Sequence, residues 1–434
     1  MKSVDIFEAI ESAIARNELQ PGERLPAVRE AATLWSVNKN TVTAAYRRLQ
    51  DAGLVVTSGR NGSTVARRAR GVQASSPVPD RKGTILLHNG SPDRTLLPDE
   101  ATLRGHLLKV RAGQRTYAES RNSEALIDWA NASFDGDRVP TGQSLIGSGA
   151  LDLMSWAVRT SLKVGDRVGI EDPGYATSAH LLRSLGMRTV GITLDADGLV
   201  PQSLERAIAR GCKAVVLSSR AQNPTGACTT PRRAAQLAAV IRSAPDTLFI
   251  DDDHSSMLQL APYQNFVATS ARRWIVIRSL SKFLGPDLRV SVCRGDKTTV
   301  GRIEAAQSLA MGWVSLLLQD LAGRLLRDKA VTSLVSKAGQ AYRQRFLAMQ
   351  ASLRDLGLST IGHAGLNIWV PCPDEAAVCA RLLGMGWRVR PGFDFVAGSA
   401  PGFRVTCAAL DDKSREAFVA ALRVALDDVP AQTA

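Results

Sequence analysis

The run Arg278-Ser279-Leu280-Ser281-Lys282-Phe283-Leu284-Gly285-Pro286-Asp287-Leu288-Arg289 places one amine between two serines and an arginine. Such an amine can condense with an aldehyde, and the hydroxyls and guanidinium beside it can hold an anion. Four other clusters supply what that chemistry needs. Ser148-Gly149-Ala150 opens a helix-forming stretch from Leu151 to Leu162, and a helix start with a hydroxyl receives phosphate. Tyr175, in Asp172-Pro173-Gly174-Tyr175, offers a ring for stacking, and Asn223, in Asn223-Pro224-Thr225-Gly226, offers an amide to a phenolic oxygen. Asp251, Asp252 and Asp253 follow an apolar strand, and one of the three can pair with a protonated ring nitrogen. Amine, anion cradle, stacking face, amide and carboxylate are together the requirements of pyridoxal 5'-phosphate (PLP), with Lys282 as its Schiff-base residue.

These residues must be carried by elements that converge. From about residue 85 onward, apolar runs alternate with helical stretches: Arg167 to Ile170, Ala214 to Leu217, Thr247 to Ile250 and Trp274 to Ile277. That alternation predicts a mostly parallel α/β sheet covered by helices. From about residue 330 a long helix precedes Leu366 to Val370 and Phe403 to Thr406, which predicts a smaller α+β lobe.

Residues 1–66 predict a separate unit. Ile6, Phe7, Ile10 and Ile14 line one face of a helix, the turn Gln20-Pro21-Gly22-Glu23 follows, and a short helix carries Val28, Ala31 and Ala32. A third helix is predicted from about Asn38 to Asp51, with Val42, Ala45, Tyr46 and Leu49 at core spacing. Two strands at 53–57 and 63–66 flank the basic tip Ser58-Gly59-Arg60-Asn61-Gly62 and form a wing. This is a winged helix-turn-helix, of α+β class. Asn38, Lys39, Asn40, Thr41, Thr43 and Arg47 are of the types that reach base edges and phosphates, while Arg24, Arg29, Arg60 and Asn61 can clamp the backbone. Residues 67–84 are rich in charge, Ser and Pro and read as a linker to the domain at 85–434.

The formal charge of +13 favours a polyanionic partner, although residues 1–70 hold 11 Lys/Arg against 7 Asp/Glu, so the excess is spread along the chain. Six cysteines without a C-x-x-C pair read as reduced thiols, and no metal site is indicated. Without a signal peptide or a membrane-length apolar run, a cytoplasmic protein is expected.

Leu25-Pro26-Ala27-Val28-Arg29-Glu30-Ala31-Ala32, Val37-Asn38-Lys39-Asn40-Thr41-Val42 and Ala45-Tyr46-Arg47-Arg48-Leu49 resemble the DNA-binding module of GntR-type bacterial regulators. That resemblance implies DNA contact by Arg24, Arg29, Lys39, Thr41 and Arg47. From about Gly90 onward the chain resembles the fold type I, class I/II aminotransferases. By that resemblance Asp252 pairs with the pyridinium, Asn223 with the phenolic oxygen, Tyr175 stacks, Lys282 forms the Schiff base and Arg289 holds phosphate. Tyr117 resembles the tyrosine that reaches the neighbouring subunit's phosphate, and Arg404, in Gly402-Phe403-Arg404-Val405, the arginine that clamps a carboxylate. His254 stands where many relatives have a tyrosine against the cofactor oxygen, and Thr177 where some regulators carry an effector arginine.

The combination is similar to the MocR-type regulators, and its wording is nearest the PtsJ branch, associated with vitamin B6 metabolism. The resemblance implies a domain-swapped homodimer that binds an operator and answers to PLP or to an amino compound joined to it. The alternatives are a PLP-dependent aminotransferase with an auxiliary DNA-binding module, and a DNA-binding scaffold that holds no cofactor.

Overall fold

A computed structural model describes residues 3–15, 18–20, 22–51, 54–57, 62–65, 83–110, 116–258, 260–393, 395–396 and 398–427. The chain forms two compact units, Met1–Pro79 and Asp80–Ala434. Most of the predicted linker, and the wing-tip residues Arg60 and Asn61, lie outside the described residues.

The first unit contains helices α1 (Ser3–Ala15), α2 (Val28–Leu34) and α3 (Lys39–Asp51) and strands β1 (Val55–Thr57) and β2 (Ser63–Val65). The strands pair antiparallel, Val55 opposite Val65. Ile6, Ile10, Ala31, Val42, Ala45 and Leu49 are buried together, so the apolar spacing of the sequence forms the core. Helix α3 starts at Lys39, one residue beyond the predicted start, because Asn38 caps it: its side-chain oxygen accepts the Asn40 N–H at 2.9 Å. The Tyr46 hydroxyl donates to the Pro26 carbonyl at 2.8 Å and ties α3 to the segment ahead of α2.

The second unit is built on eight strands: β3 (Gln143–Gly147), β4 (Arg167–Asp172), β5 (Arg188–Asp195), β6 (Gly198–Leu199), β7 (Cys212–Leu217), β8 (Leu248–Asp252), β9 (Arg273–Ser279) and β10 (Ser291–Gly295). Their order is β3-β10-β9-β8-β7-β4-β5-β6. The five strands from β9 to β5 are parallel, while β10 runs antiparallel to both its neighbours, so the sheet is mixed. Alternate residues of each strand enter two cores. Val215, Phe249 and Val276 pack on one face, and Ala214, Ile250 and Ile275 on the other. Burial on both faces is why these strands read as continuous apolar runs rather than as alternating ones.

The smaller lobe holds β11 (Asn367–Pro371), β12 (Arg390–Pro391) and β13 (Gly402–Thr406), with β13 central. Its border differs from the predicted one. The helix Lys329–Asp355 serves both bodies: Val331, Val335 and Tyr342 pack under the large sheet, and Phe346, Met349 and Leu353 pack in the lobe. In addition, Ile85–Leu86 pairs in parallel with Trp387–Arg388, and Leu87 joins the lobe's core. Residues 85–87, which follow the predicted linker, are therefore part of the small lobe, which two-residue strands cannot signal in a sequence.

The Phe346 ring is fully buried and lies where a Cβ on Gly226 would meet it at 2.7 Å, so it wedges the lobe against the Asn223–Gly226 loop. Phe346→Ala is expected to cost about 3–5 kcal/mol by opening a cavity at this junction. A lowered urea midpoint with unchanged slope checks it.

Candidate functional site

The site lies at the carboxyl ends of the parallel strands, where open α/β sheets place their ligands. Strand β8 does not stop before the three aspartates, as the spacing implied, but runs through Asp251 and Asp252. Alternation then sends Asp251 and Asp253 to one side and Asp252 to the other. Asp253 is bound bidentately by Arg220, at 2.8 and 2.7 Å, and by Arg278 Nε at 3.0 Å. These two cations outweigh its burial and hold its pKa down at about 2. Asp251 accepts from Ser219 Oγ at 2.5 Å and from the Tyr263 hydroxyl at 2.8 Å, while burial pushes it up to about 6. Asp252 is different. Its Oδ1 is buried with no hydrogen-bond partner among the described residues, and burial with its two acidic neighbours raises it to about 7, against the pull of Lys282.

Lys282 lies three residues beyond β9, and its Nζ donates to the Gly90 carbonyl at 2.8 Å. Burial, then the positive Arg404 nearby, lowers its pKa to about 8, with Asp252 opposing. His254 is brought beside them, and burial followed by repulsion from Lys282 lowers it to about 4, so its ring is neutral at pH 7. Arg404 comes from the central lobe strand β13. Its Nη1 donates to Asn223 Oδ1 at 3.1 Å and its Nη2 to the His88 carbonyl at 2.5 Å. The guanidinium stands 5.1 Å from the centre of the Phe395 ring, and its Nε is buried without a partner among the described residues. Burial lowers Arg404 to about 10, opposed by the nearby Tyr175, which caps the helix Ala176–Ser184.

An anion cradle forms where β3 meets the helix Ala150–Ser161. Gly149 caps that helix with φ +97°, and Arg289 lies so close that any Cβ on Gly149 would strike its guanidinium. Only glycine admits both the conformation and the contact. Ser148 N–H donates to Asp152 Oδ2 at 2.9 Å. Ser279 Oγ accepts the Ser281 N–H at 3.3 Å, and Ser281 Oγ is buried without a partner.

The structure thus joins Lys282, Asp252, His254, Asn223, Tyr175 and Arg404, and joins Arg289 to the Ser148–Ala150 turn. An amine with a lowered pKa, a buried unpartnered carboxylate oxygen and an arginine over a helix start fit a flat, phosphate-bearing aldehyde such as PLP. Tyr117 is not brought to this group. It is 89% exposed, with its ring edge-on to Trp313 at 5.9 Å. Sequence reasoning gave no role to Arg220 and Arg278; their pairing with Asp253 is what assigns it to the opposite side from Lys282.

On the first unit, Lys39, Asn40, Thr43 and Arg47 are exposed along α3, Thr41 is half-buried, and Arg29 is exposed on α2. The Thr43 hydroxyl donates to the Lys39 carbonyl at 2.9 Å, so its methyl and oxygen are held against the helix. Arg24 bridges to Thr64, and its guanidinium lies 3.4 Å from the Cβ position of Gly62, which places it along the wing.

Two families match the sequence: "Bacterial regulatory proteins, gntR family" over residues 2–65 and "Aminotransferase class I and II" over residues 113–422. The vitamin B6 salvage pathway transcriptional repressor PtsJ of Salmonella typhimurium is 34% identical over 98% of each chain. The chain belongs to the MocR-type regulators of the GntR family. A second such regulator, the pyridoxine biosynthesis regulator PdxR of Corynebacterium glutamicum, is 27% identical over 81% of this chain and 78% of its own. The kynurenine aminotransferase of Pyrococcus horikoshii shares the fold of the second unit, with TM-score 0.71 and 22% identity over 80% of this chain and 91% of its own. As a GntR-family regulator, the chain carries a DNA-binding helix-turn-helix in its first unit. Among the described residues no helix is long and apolar enough to cross a membrane, and no cluster of His, Cys, Asp or Glu is arranged to hold a metal.

Asp253→Asn leaves Arg220 and Arg278 incompletely compensated and is expected to cost about 3–5 kcal/mol, read from denaturant unfolding. Because the folded pKa of Asp253, about 2, lies below the ordinary carboxylate value, its stabilisation is full above about pH 4 and is lost as pH falls through about 2. With Lys282 at about 8, roughly a tenth of it is free amine at pH 7. The rate of PLP capture, followed by absorbance, is expected to rise about eightfold from pH 7 to 8.5 and level off above about pH 9. A rate still climbing steeply at pH 9.5 would mean an amine with an ordinary pKa.

Proposed function

We propose that this regulator binds PLP at Lys282 and that the occupancy of this site sets the affinity of the helix-turn-helix for its operator. The observation that carries the reading is the pairing of a lowered-pKa lysine with a buried, unpartnered Asp252 oxygen in a chain that also carries a GntR module. In this reading Lys282 Nζ bonds the cofactor aldehyde and Asp252 keeps the pyridine nitrogen protonated. Asn223 and the neutral His254 face the phenolic oxygen, and Tyr175 stacks. Ser148, Gly149 and Ala150 of the helix start, with Ser279, Ser281 and Arg289, receive the phosphate. Once bound, PLP supplies an electron-withdrawing ring. Arg404 holds the carboxylate of an amino-compound effector.

The exposure of Tyr117 supports a homodimer in which that residue completes the neighbour's phosphate site; the domain-swapped arrangement implied by the resemblance belongs to the same proposal. Arg24, Arg29, Asn38, Lys39, Asn40, Thr41, Thr43 and Arg47 form the operator-facing set, and the regulated genes concern vitamin B6, as the names of PtsJ and PdxR suggest. The protein works in the cytoplasm, with its operator.

One feature also supports a second reading, an aminotransferase half-reaction: Arg404 is a buried cation with an open Nε, suited to an amino-acid carboxylate. Rapid transfer of the amino group of L-alanine to bound PLP would favour it.

The test is a titration of the chain against DNA from its own upstream region, with and without PLP, using wild type and Lys282→Ala. Operator affinity is expected to change with PLP by at least about fivefold in wild type and not in the mutant. Identical affinities in all four arms sink the proposal. Lys39→Ala is expected to weaken every DNA sequence alike and to reduce the log–log salt slope by about 1, the signature of a lost phosphate contact.

A further inference from the structure

Two cations of the site, Lys282 and Arg404, are held by one short piece of backbone. Lys282 Nζ donates to the Gly90 carbonyl at 2.8 Å, and Arg404 Nη2 donates to the His88 carbonyl at 2.5 Å. Lys282 follows a strand of the large sheet and Arg404 comes from the small lobe, so residues 88–90 fasten the two bodies at the site. The fit is close. Gly90 has φ +67°, and a Cβ there would stand 3.4 Å from the Arg404 guanidinium nitrogens.

This strap is also anchored from behind. Ile85 N–H donates to the Gly386 carbonyl and Leu87 N–H to the Arg388 carbonyl, each at 2.8 Å, and Thr406 N–H donates to the Leu87 carbonyl at 2.8 Å. Gly90 N–H donates to Thr406 Oγ1 at 3.0 Å, and the Thr406 hydroxyl donates to Asn367 Oδ1 at 3.0 Å. In sequence, residues 85–90 come directly after the linker to the DNA-binding unit.

We propose that residues 85–90 form the relay between ligand and DNA: the His88 and Gly90 carbonyls are held by the two donors a ligand needs, and binding takes those donors from them. Such a relay requires PLP binding at Lys282 as proposed above. A carboxylate is a stronger partner for a buried guanidinium than a peptide carbonyl, so it takes Nη2 from His88. An aldehyde carbon bonded to Lys282 Nζ replaces the three-donor ammonium, with loss of one water, and withdraws it from Gly90. Each carbonyl then needs a new partner, because a buried unpaired acceptor is costly, and the strap must shift to find one. A ligand moves an equilibrium only through contacts that differ between its states, and these two bonds are such contacts. The first consequence is at the strap and the next residues along the chain are those of the linker.

The experiment uses the full chain and two probes, PLP and the stable carboxylate-bearing adduct N-(5'-phosphopyridoxyl)-L-alanine. Hydrogen exchange is followed in the peptide covering residues 83–92. The amides of Leu87 and Gly90 are expected to exchange about tenfold faster with PLP, and faster again with the adduct, against the protection that binding usually brings. The second arm is Thr406→Val, which removes the acceptor behind Gly90 and touches neither Lys282 nor Arg404. It is expected to take up PLP with the wild-type absorbance change while its operator affinity responds to PLP at least about fivefold less. Unchanged exchange in residues 83–92, or a full operator response in Thr406→Val, overturns the relay. A wild-type chain that takes up no PLP, or whose operator affinity ignores it, overturns the underlying function instead.

Discussion

Asp253 is an ionised carboxylate with no exposure to water, and it exists in that form because Arg220 and Arg278 both close on it. A buried charge without partners costs far more than one hydrogen bond returns, so this cluster is either complete or ruinous. Its completion fixes the end of strand β8, and with it the direction of the next side chain back. Asp252 must face the other way, towards Lys282, carrying an oxygen that nothing else among the described residues satisfies. Asp137 extends the cluster by accepting from both arginines, and the rings of Phe134 and Tyr263 lie against the Arg278 guanidinium at 4.5 and 5.4 Å. The cofactor-facing side of the sheet is thus organised by charges on its reverse side.

Much of this was legible in the sequence, and the limits have physical causes. The apolar runs named the sheet strands because burial on both faces leaves no polar alternation to confuse them. Lys282, Asn223 and Tyr175 were legible as motif residues in loops, where local chemistry rather than packing sets the residue type. The choice among Asp251, Asp252 and Asp253 was not legible from the residues alone, since it depends on partners at Ser219, Arg220, Tyr263 and Arg278 that only folding brings together. The membership of residues 85–87 in the small lobe was hidden for a similar reason: two residues of strand give no period. The extra helical residue expected at Asn38 reflects its capping role, which places a helix-forming pattern one position ahead of helical geometry.

The two ends of the chain obey different rules. In the first unit, a small core frees one face of α3 for the exposed Lys39, Asn40, Thr43 and Arg47. In the second, burial shifts protonation until an amine, a carboxylate and an imidazole stand within a few pH units of neutrality: Lys282 at about 8, Asp252 at about 7 and His254 at about 4. Such poise is usual at sites that make and break bonds.

The central claim is that Asp252, oriented by the Asp253 cluster, is the counter-ion of a cofactor ring held at Lys282. Nitrogen-15 NMR of the chain loaded with ring-labelled PLP tests it directly. The account predicts a pyridine nitrogen that stays protonated from pH 6 to about 9 in wild type and loses its proton in that range in Asp252→Ala. A nitrogen unprotonated at pH 8 in wild type, or equally protonated in both proteins, would contradict it.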